Sequence, residues 1–193
     1  MNLRPDLTPT DEELEPSFER LQKAFEPQAG DLTLLILKAH LLFEELLRDF
    51  LKKQLRHPEA LQGARLTFTQ VLKLCQALAA TLEPDDWRWR SLIELNRLRN
   101  SIAHEIESES SQAIVGKIVA IVGPEVGGEF PRIDQMAKHP ETGSTHPKAF
   151  ALALIGLYSV LAVRLGFDLN MRFVADRERS EQVLAAMRKP NAA

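Results

Sequence analysis

Residues 31–56 read DLTLLILKAHLLFEELLRDFLKKQLR. Leu35, Ala39, Leu42, Phe43, Leu46 and Phe50 recur at spacings of three and four, the period of one apolar face of an α-helix rather than the alternation of a half-buried strand. Asp31, just after Gly30, can cap the start, and the pattern runs to about Arg56. The opposite face carries His40, Glu44 and Arg48, each one turn from the next.

The same period recurs on both sides of this stretch. Upstream, Thr10 and Glu13 have capping-box spacing, and Leu14, Phe18, Leu21 and Phe25 predict a helix that stops before Pro27. Downstream, Pro58 and Gly63 break the pattern, and Thr67 with Gln70 predicts a helix ending near Pro84. Asp85 or Asp86 then caps a helix from about Trp87 to Ile106.

Ile114, Val115, Ile118, Val119, Ile121 and Val122 are β-branched and admit a short strand, but Ile114, Ile118, Ile121 and Val122 also fit a helix face, the reading preferred here. Four glycines and four prolines between Gly123 and Pro147 predict a long irregular excursion over the bundle. A last core helix follows over roughly 147–165, and the charged segment 176–189 reads as a peripheral helix or tail. The chain therefore reads as an all-α bundle in three parts: an N-terminal helix and lead-in over 1–30, a core over 31–166 that includes the excursion at about 123–147, and a peripheral C-terminal segment over 167–193.

With 193 residues, 45% hydrophobic and 26% charged, the chain has the composition of an ordinary globular domain. A formal net charge of −3 excludes a broad basic surface for coating nucleic acid and leaves room for a small local basic site. The single cysteine, Cys75, has no partner for an internal disulfide and sits in an apolar helical run, as a small core residue does. No charged-then-apolar leader is visible, so the expectation is a cytoplasmic protein. The apolar run from Ala149 to Val163 is shorter than the roughly 20 residues that span a bilayer, so a buried helix is expected and no membrane partner.

The chemistry-bearing stretch is Arg97-Leu98-Arg99-Asn100-Ser101-Ile102-Ala103-His104-Glu105. At about 100° per residue, Leu95, Leu98, Ile102 and Ile106 form a core stripe, and Arg97, Asn100, Ser101 and His104 lie away from it. Arg99 falls about 140° from His104, at the margin of the stripe, so the two converge only through arginine's reach, a helix distortion or a second chain. A twofold pairing of this helix would line one groove with two arginines and two histidines. Arginine suits a phosphate, histidine suits proton transfer near neutral pH, and Asn100 can orient either. The plainer alternative is a solvated helix end, with Arg99 reaching Glu94 or Glu105 and His104 capping carbonyls.

Arg99, Asn100 and His104 match, position by position, the signature that the string from Leu95 to His104 resembles: that of the HEPN superfamily, an arginine, a polar residue, three variable residues and a histidine. The segment from Ala39 to Leu47 also resembles the preceding helix of many bacterial members, and the likeness covers about residues 32–107. The resemblance implies a helical bundle that dimerises through the motif helix and cleaves RNA without a metal, the ribose 2′-hydroxyl attacking the adjacent phosphate. His104 would then act in proton transfer and Arg99 would hold the phosphate. Many relatives are toxins or phage-defence nucleases, with an antitoxin or other regulatory protein as partner. Others, including a group resembling mannitol operon repressors, are non-catalytic regulators or interaction modules. One toxin subclass carries a modifiable tyrosine two residues after the histidine, and here that position is Ile106.

Arg97, Ser101, His40 and Glu44 are the auxiliary or RNA-binding candidates. His40 and Glu44 at a four-residue spacing have the form of half a metal site, but no companion pair stands on another helix, so no metal and no cofactor are expected. The pair reads equally as part of a charge ladder with Arg48, or as an auxiliary element beside the motif groove. Trp87, Arg88, Trp89 and Arg90 interleave aromatics with cations, a pattern that stacks bases or, more commonly, packs a helix start onto the core. His139 and His146 fall in the excursion with no ligand-like spacing.

Overall fold

The computed structural model describes residues 25, 32–104, 109–129 and 147–167. Among them are five α-helices, a single turn of 3-10 helix at Pro58–Leu61 and no strand. The helices are α1 (Leu32–Gln54), α2 (Phe68–Leu78), α3 (Trp87–His104), α4 (Glu109–Glu129) and α5 (Pro147–Arg164). The all-α reading holds. The N-terminal helix expected over 10–26, apart from Phe25, lies outside the described residues, as do the excursion beyond Glu129 and the C-terminal segment beyond Phe167.

The innermost element is α5. Every residue from Ala149 to Ala162 is buried, so this helix has no polar face and is covered on all sides. Among the described residues it is the one helix with the length and hydropathy to cross a membrane, and 78% of that window is buried inside the fold, as in a core helix. Its end is a Schellman turn in which Phe167 N donates to Ala162 O at 2.9 Å and Gly166 N to Val163 O at 2.9 Å. Gly166 sits at φ +76°, where a side chain would be strained.

Against α5 pack α4 and α1, and α3 closes the other side of α4. The core face of α1 is the predicted one: Leu35, Ala39, Phe43, Leu46 and Phe50 are buried, while Leu42 is half-buried. The capping box that opens α2 is present, with Gln70 N donating to Thr67 Oγ1 at 3.3 Å and Thr67 N to Gln70 Oε1 at 2.9 Å. The helix stops at Leu78 and not near Pro84. Leu82 must turn inward to be buried, and Thr81 Oγ1 donates to Arg164 O at 2.6 Å, which ties this connection to the end of α5. At the start of α3 the cap is Asp86, whose Oδ1 accepts from Arg88 N at 2.8 Å.

The segment 114–122 is helical as preferred, but the excursion does not begin at Gly123. Instead α4 continues through Pro124 to Glu129. Val115, Ile118, Val122 and Val126 keep a helical period into the core, and burying Val126 holds those last turns in helix. Pro124 and Ala120 are both exposed, so water can satisfy the carbonyl that proline leaves without a donor. The glycines and prolines are thus split between a helix end and the segment after it.

The approach of α4 to α5 depends on Gly156. A Cβ built there would lie 2.5 Å from Val126 Cγ1. Valine has few alternative rotamers in a helix, so the clash would have to move backbone. Gly156→Ala is expected to lower stability in a urea titration by about 1–3 kcal/mol despite alanine's better helix propensity. Adding Val126→Ala should make the cost of the glycine change smaller by at least about 1 kcal/mol, as a coupled pair requires. Additive costs would show that the two helices do not touch there.

Candidate functional site

The orientation of α3 decides which motif residues meet. Trp89, Leu92, Leu95 and Leu98 are fully buried and fix its inner face. On the flank toward α4, the buried Glu94 carboxylate accepts from Arg97 Nη1 at 2.8 Å and from Lys117 Nζ at 2.7 Å. Next to it, Ser101 Oγ donates to Leu98 O at 2.9 Å and lies 3.3 Å from Ser111 Oγ on α4. Arg97 and Ser101 are therefore part of the α3–α4 contact.

On its opposite flank α3 faces α1 and the start of α2 across a cleft of about 450 Å³. His40, Glu44, Thr67, Phe68, Thr69, Asn96, Arg99 and Asn100 line it. A chain of polar contacts runs through the wall. Asn96 Nδ2 donates to Thr69 Oγ1 at 3.3 Å, and Asn96 Oδ1 lies 3.1 Å from His40 Nε2. Glu44 Oε2 is 3.9 Å from His40 Nδ1, and the same carboxylate accepts from Arg48 Nε at 2.9 Å and Nη2 at 2.7 Å. Arg48 Nη2 also donates to Leu66 O at 2.7 Å, in the connection that leads into α2. The His40 ring rests on Phe68, centroid to centroid 4.4 Å.

An amide oxygen only accepts, so with Asn96 Oδ1 turned to the ring a neutral His40 carries its proton on Nε2 and its lone pair on Nδ1. Burial pushes the His40 pKa below its ordinary 6.5, outweighing the Asn96 hydrogen bond and the Glu44 carboxylate, which pull it up. The Arg99 guanidinium acts in the same direction as burial. The site therefore favours the neutral imidazole over the charged one.

The structure brings Arg99 and Asn100 together with His40 and Glu44, and separates them from Arg97 and Ser101. The apolar stripe narrows toward the end of α3, where Ile102 is only half-buried, and Arg99 is exposed on the cleft side. It does not reach Glu94, which is taken by Arg97 and Lys117. Its Nη1 donates to Asn100 Oδ1 at 3.2 Å, and it has no ion pair with a carboxylate among the described residues. His104 is the last residue of α3; its side chain and residues 105–108 lie outside the described residues.

Asn96 and Thr69 escaped the sequence reading. Asn96 stands 56 positions from His40, so no local spacing announces their contact. The Trp-Arg block takes its core alternative: Trp87 and Trp89 are buried, and Arg88 lies 4.5 Å over the Trp87 ring with Nη1 2.9 Å from Asp86 Oδ2. Cys75 is buried, its Sγ 3.3 Å from Leu47 O, and burial pushes the thiol up to about 12, far from a reactive thiolate. Among the described residues no group of three or more His, Cys, Asp or Glu side chains is placed to hold a metal ion.

The lowered His40 pKa makes stability depend on pH. Between 6.5 and the lower folded-state value the unfolded chain binds a proton that the native chain does not, so the contribution of neutral His40 is complete above pH 6.5 and is lost as pH falls through the folded value. The wild-type midpoint in thermal unfolding should therefore fall on acidification below pH 6.5, more steeply than that of His40→Gln. Parallel slopes for the two proteins would remove the effect. No family model, curated protein or solved structure matches the chain, so the chemistry of the cleft rests on these residues alone.

Proposed function

We propose that the chain is a HEPN-like protein acting as a homodimeric, metal-independent endoribonuclease of the toxin or phage-defence type. The observation that carries this reading is the presentation of Arg99. Arg48, Arg88 and Arg97 are each committed to a carboxylate, whereas Arg99 lies exposed on a polar cleft with an amide as its partner. A guanidinium with no carboxylate partner among the described residues is available to a phosphate, to which its planar fork donates two hydrogen bonds.

In this mechanism Arg99 grips the scissile phosphate and stabilises the charge that builds on its oxygens. Asn100, hydrogen-bonded to Arg99, holds the guanidinium in register and can donate its own amide to the same oxygens. His104 transfers a proton to the departing 5′-oxygen. The attacking group is the ribose 2′-hydroxyl, so the reaction needs no metal-bound water. Leu37 and Leu41 support the dimer: they are exposed on α1, within about 100° of His40 on the helix wheel, and offer apolar surface beside the cleft to a second copy.

The test is cleavage of a single-stranded RNA by purified protein in EDTA, with Arg99→Ala and His104→Ala as controls. Each variant should be slower by at least about 100-fold while light scattering still gives a dimer. In bacteria the wild-type chain should restrict growth and both variants should be tolerated. Intact RNA with wild-type dimer would leave the alternative, a non-catalytic regulator on the same scaffold, and a monomer at micromolar concentration would remove the composite groove.

A further inference from the structure

The polar chain in the cleft wall has a feature that the motif does not use. His40 comes from α1, outside the motif, yet it shares the cleft with Arg99 of its own chain. Its Nε2 faces Asn96 Oδ1 at 3.1 Å, and the Nδ2 of that amide donates to Thr69 Oγ1 at 3.3 Å. Its Nδ1, at 3.9 Å from Glu44 Oε2, is beyond a hydrogen bond and carries a lone pair. Glu44 itself is anchored by two hydrogen bonds from Arg48. An imidazole held in one tautomer, with a basic nitrogen beside a fixed carboxylate and an arginine across the cleft, is built to accept a proton close to a bound anion.

We propose that His40 is a catalytic residue of the site, the general base that takes the ribose 2′-hydroxyl proton on Nδ1 while Arg99 of the same chain holds the phosphate. The assignment rests on the ribonuclease reading. The 2′-O–H bond breaks as its proton passes to Nδ1, the 2′-oxygen bonds to phosphorus, and the phosphorus–5′-oxygen bond breaks. The 5′-oxygen receives a proton from His104, giving a 2′,3′-cyclic phosphate and a 5′-hydroxyl end. His40 ends protonated and His104 neutral, and exchange with water restores both.

Two charged groups act on the ring. Glu44, on the same helix, favours the protonated ring, Arg99 on α3 opposes it, and α2 contributes only Thr67, Phe68 and Thr69, none of which titrates in this range. On protonation the ring gains an ion pair with Glu44, which offsets part of the cost of a buried cation. Rotation about Cβ–Cγ is held by Phe68 on the ring face and Asn96 at the ring edge.

The experiment is a pH–rate profile in EDTA on a dinucleotide with a chromogenic 5′-leaving group, run on wild type, His40→Gln and Glu44→Gln. Wild type should lose activity on an acid limb below pH 6.5. In His40→Gln the rate should fall by about 100-fold or more and the limb should vanish, with partial recovery of the His40→Ala variant by added imidazole. In Glu44→Gln the limb should move to lower pH, because the carboxylate that favours the protonated ring is gone. An unshifted limb in Glu44→Gln, or a His40→Gln enzyme with wild-type rate and limb, would overturn the assignment and leave the ribonuclease reading standing. Wild-type protein that cleaves nothing overturns both. Independently of activity, ¹⁵N spectra of the imidazoles at pH 7.5 should show the His40 proton on Nε2, and a proton on Nδ1 sinks the proposal.

Discussion

The fold is governed by a helix that cannot face water. Across fourteen consecutive residues, Ala149 to Ala162, α5 has no exposed side, so its neighbours must enclose it, and their inner faces are set by that requirement. One close approach is made where α5 has no side chain: Gly156 lets Val126 sit against backbone, and α4 stays helical past Pro124. The position of α4 fixes α3 in turn, and α3 carries the motif. A loosely seated α5 would reach the cleft through two packed interfaces, since close-packed interiors transmit displacement rather than absorb it.

Apolar packing alone would leave α3 free to rotate by part of a turn. Glu94 removes that freedom. Its buried carboxylate accepts from Arg97 on its own helix and from Lys117 on α4, and any rotation that broke these bonds would strand a charge in the interior. The penalty for an unpaired buried carboxylate is several kcal/mol, well above the worth of an exposed ion pair, so Glu94 acts as a register pin more than as a source of stability. This division of labour explains the fate of the two arginines. Arg97 is spent on holding the helix, and Arg99, two residues on, is turned to the other flank and left to the cleft.

Much of the scaffold was legible because helical period and caps are local. The faces of α1 and α3, the Thr67 capping box and the buried run after Pro147 follow from spacings within a few turns. The misread element, α4, failed for the complementary reason. Glycine and proline counts report the intrinsic cost of helix, and they cannot report that Val126 gains a site on Gly156 some thirty positions away. Within the cleft, Arg99 and Asn100 were visible as a pair, and His40 with Glu44 as another. Their meeting was not, because it is made by the pairing of His40 with Asn96 across 56 positions and by the insertion of Phe68 under the ring. The wheel placed Arg99 at the margin of an apolar stripe, and only the shortness of that stripe at Ile102 shows that the margin opens onto the cleft.

The wheel set Arg99 about 140° from His104, and the structure sets it on a cleft that His40 also lines. In-line displacement at phosphorus places the entering and leaving oxygens on opposite sides of the phosphate, so one imidazole cannot easily attend both. A base and an acid in different environments answer that geometry, and their tuning must differ: the base neutral at working pH, the acid protonated. His40 fits the first condition, because it lines the cleft with Arg99 and burial pushes its pKa down. On this view the separation of Arg99 and His104 on the wheel is no obstacle to catalysis. One chain brings Arg99 and His40 to the same cleft, and under the proposed mechanism His104 is the group that a second chain would add.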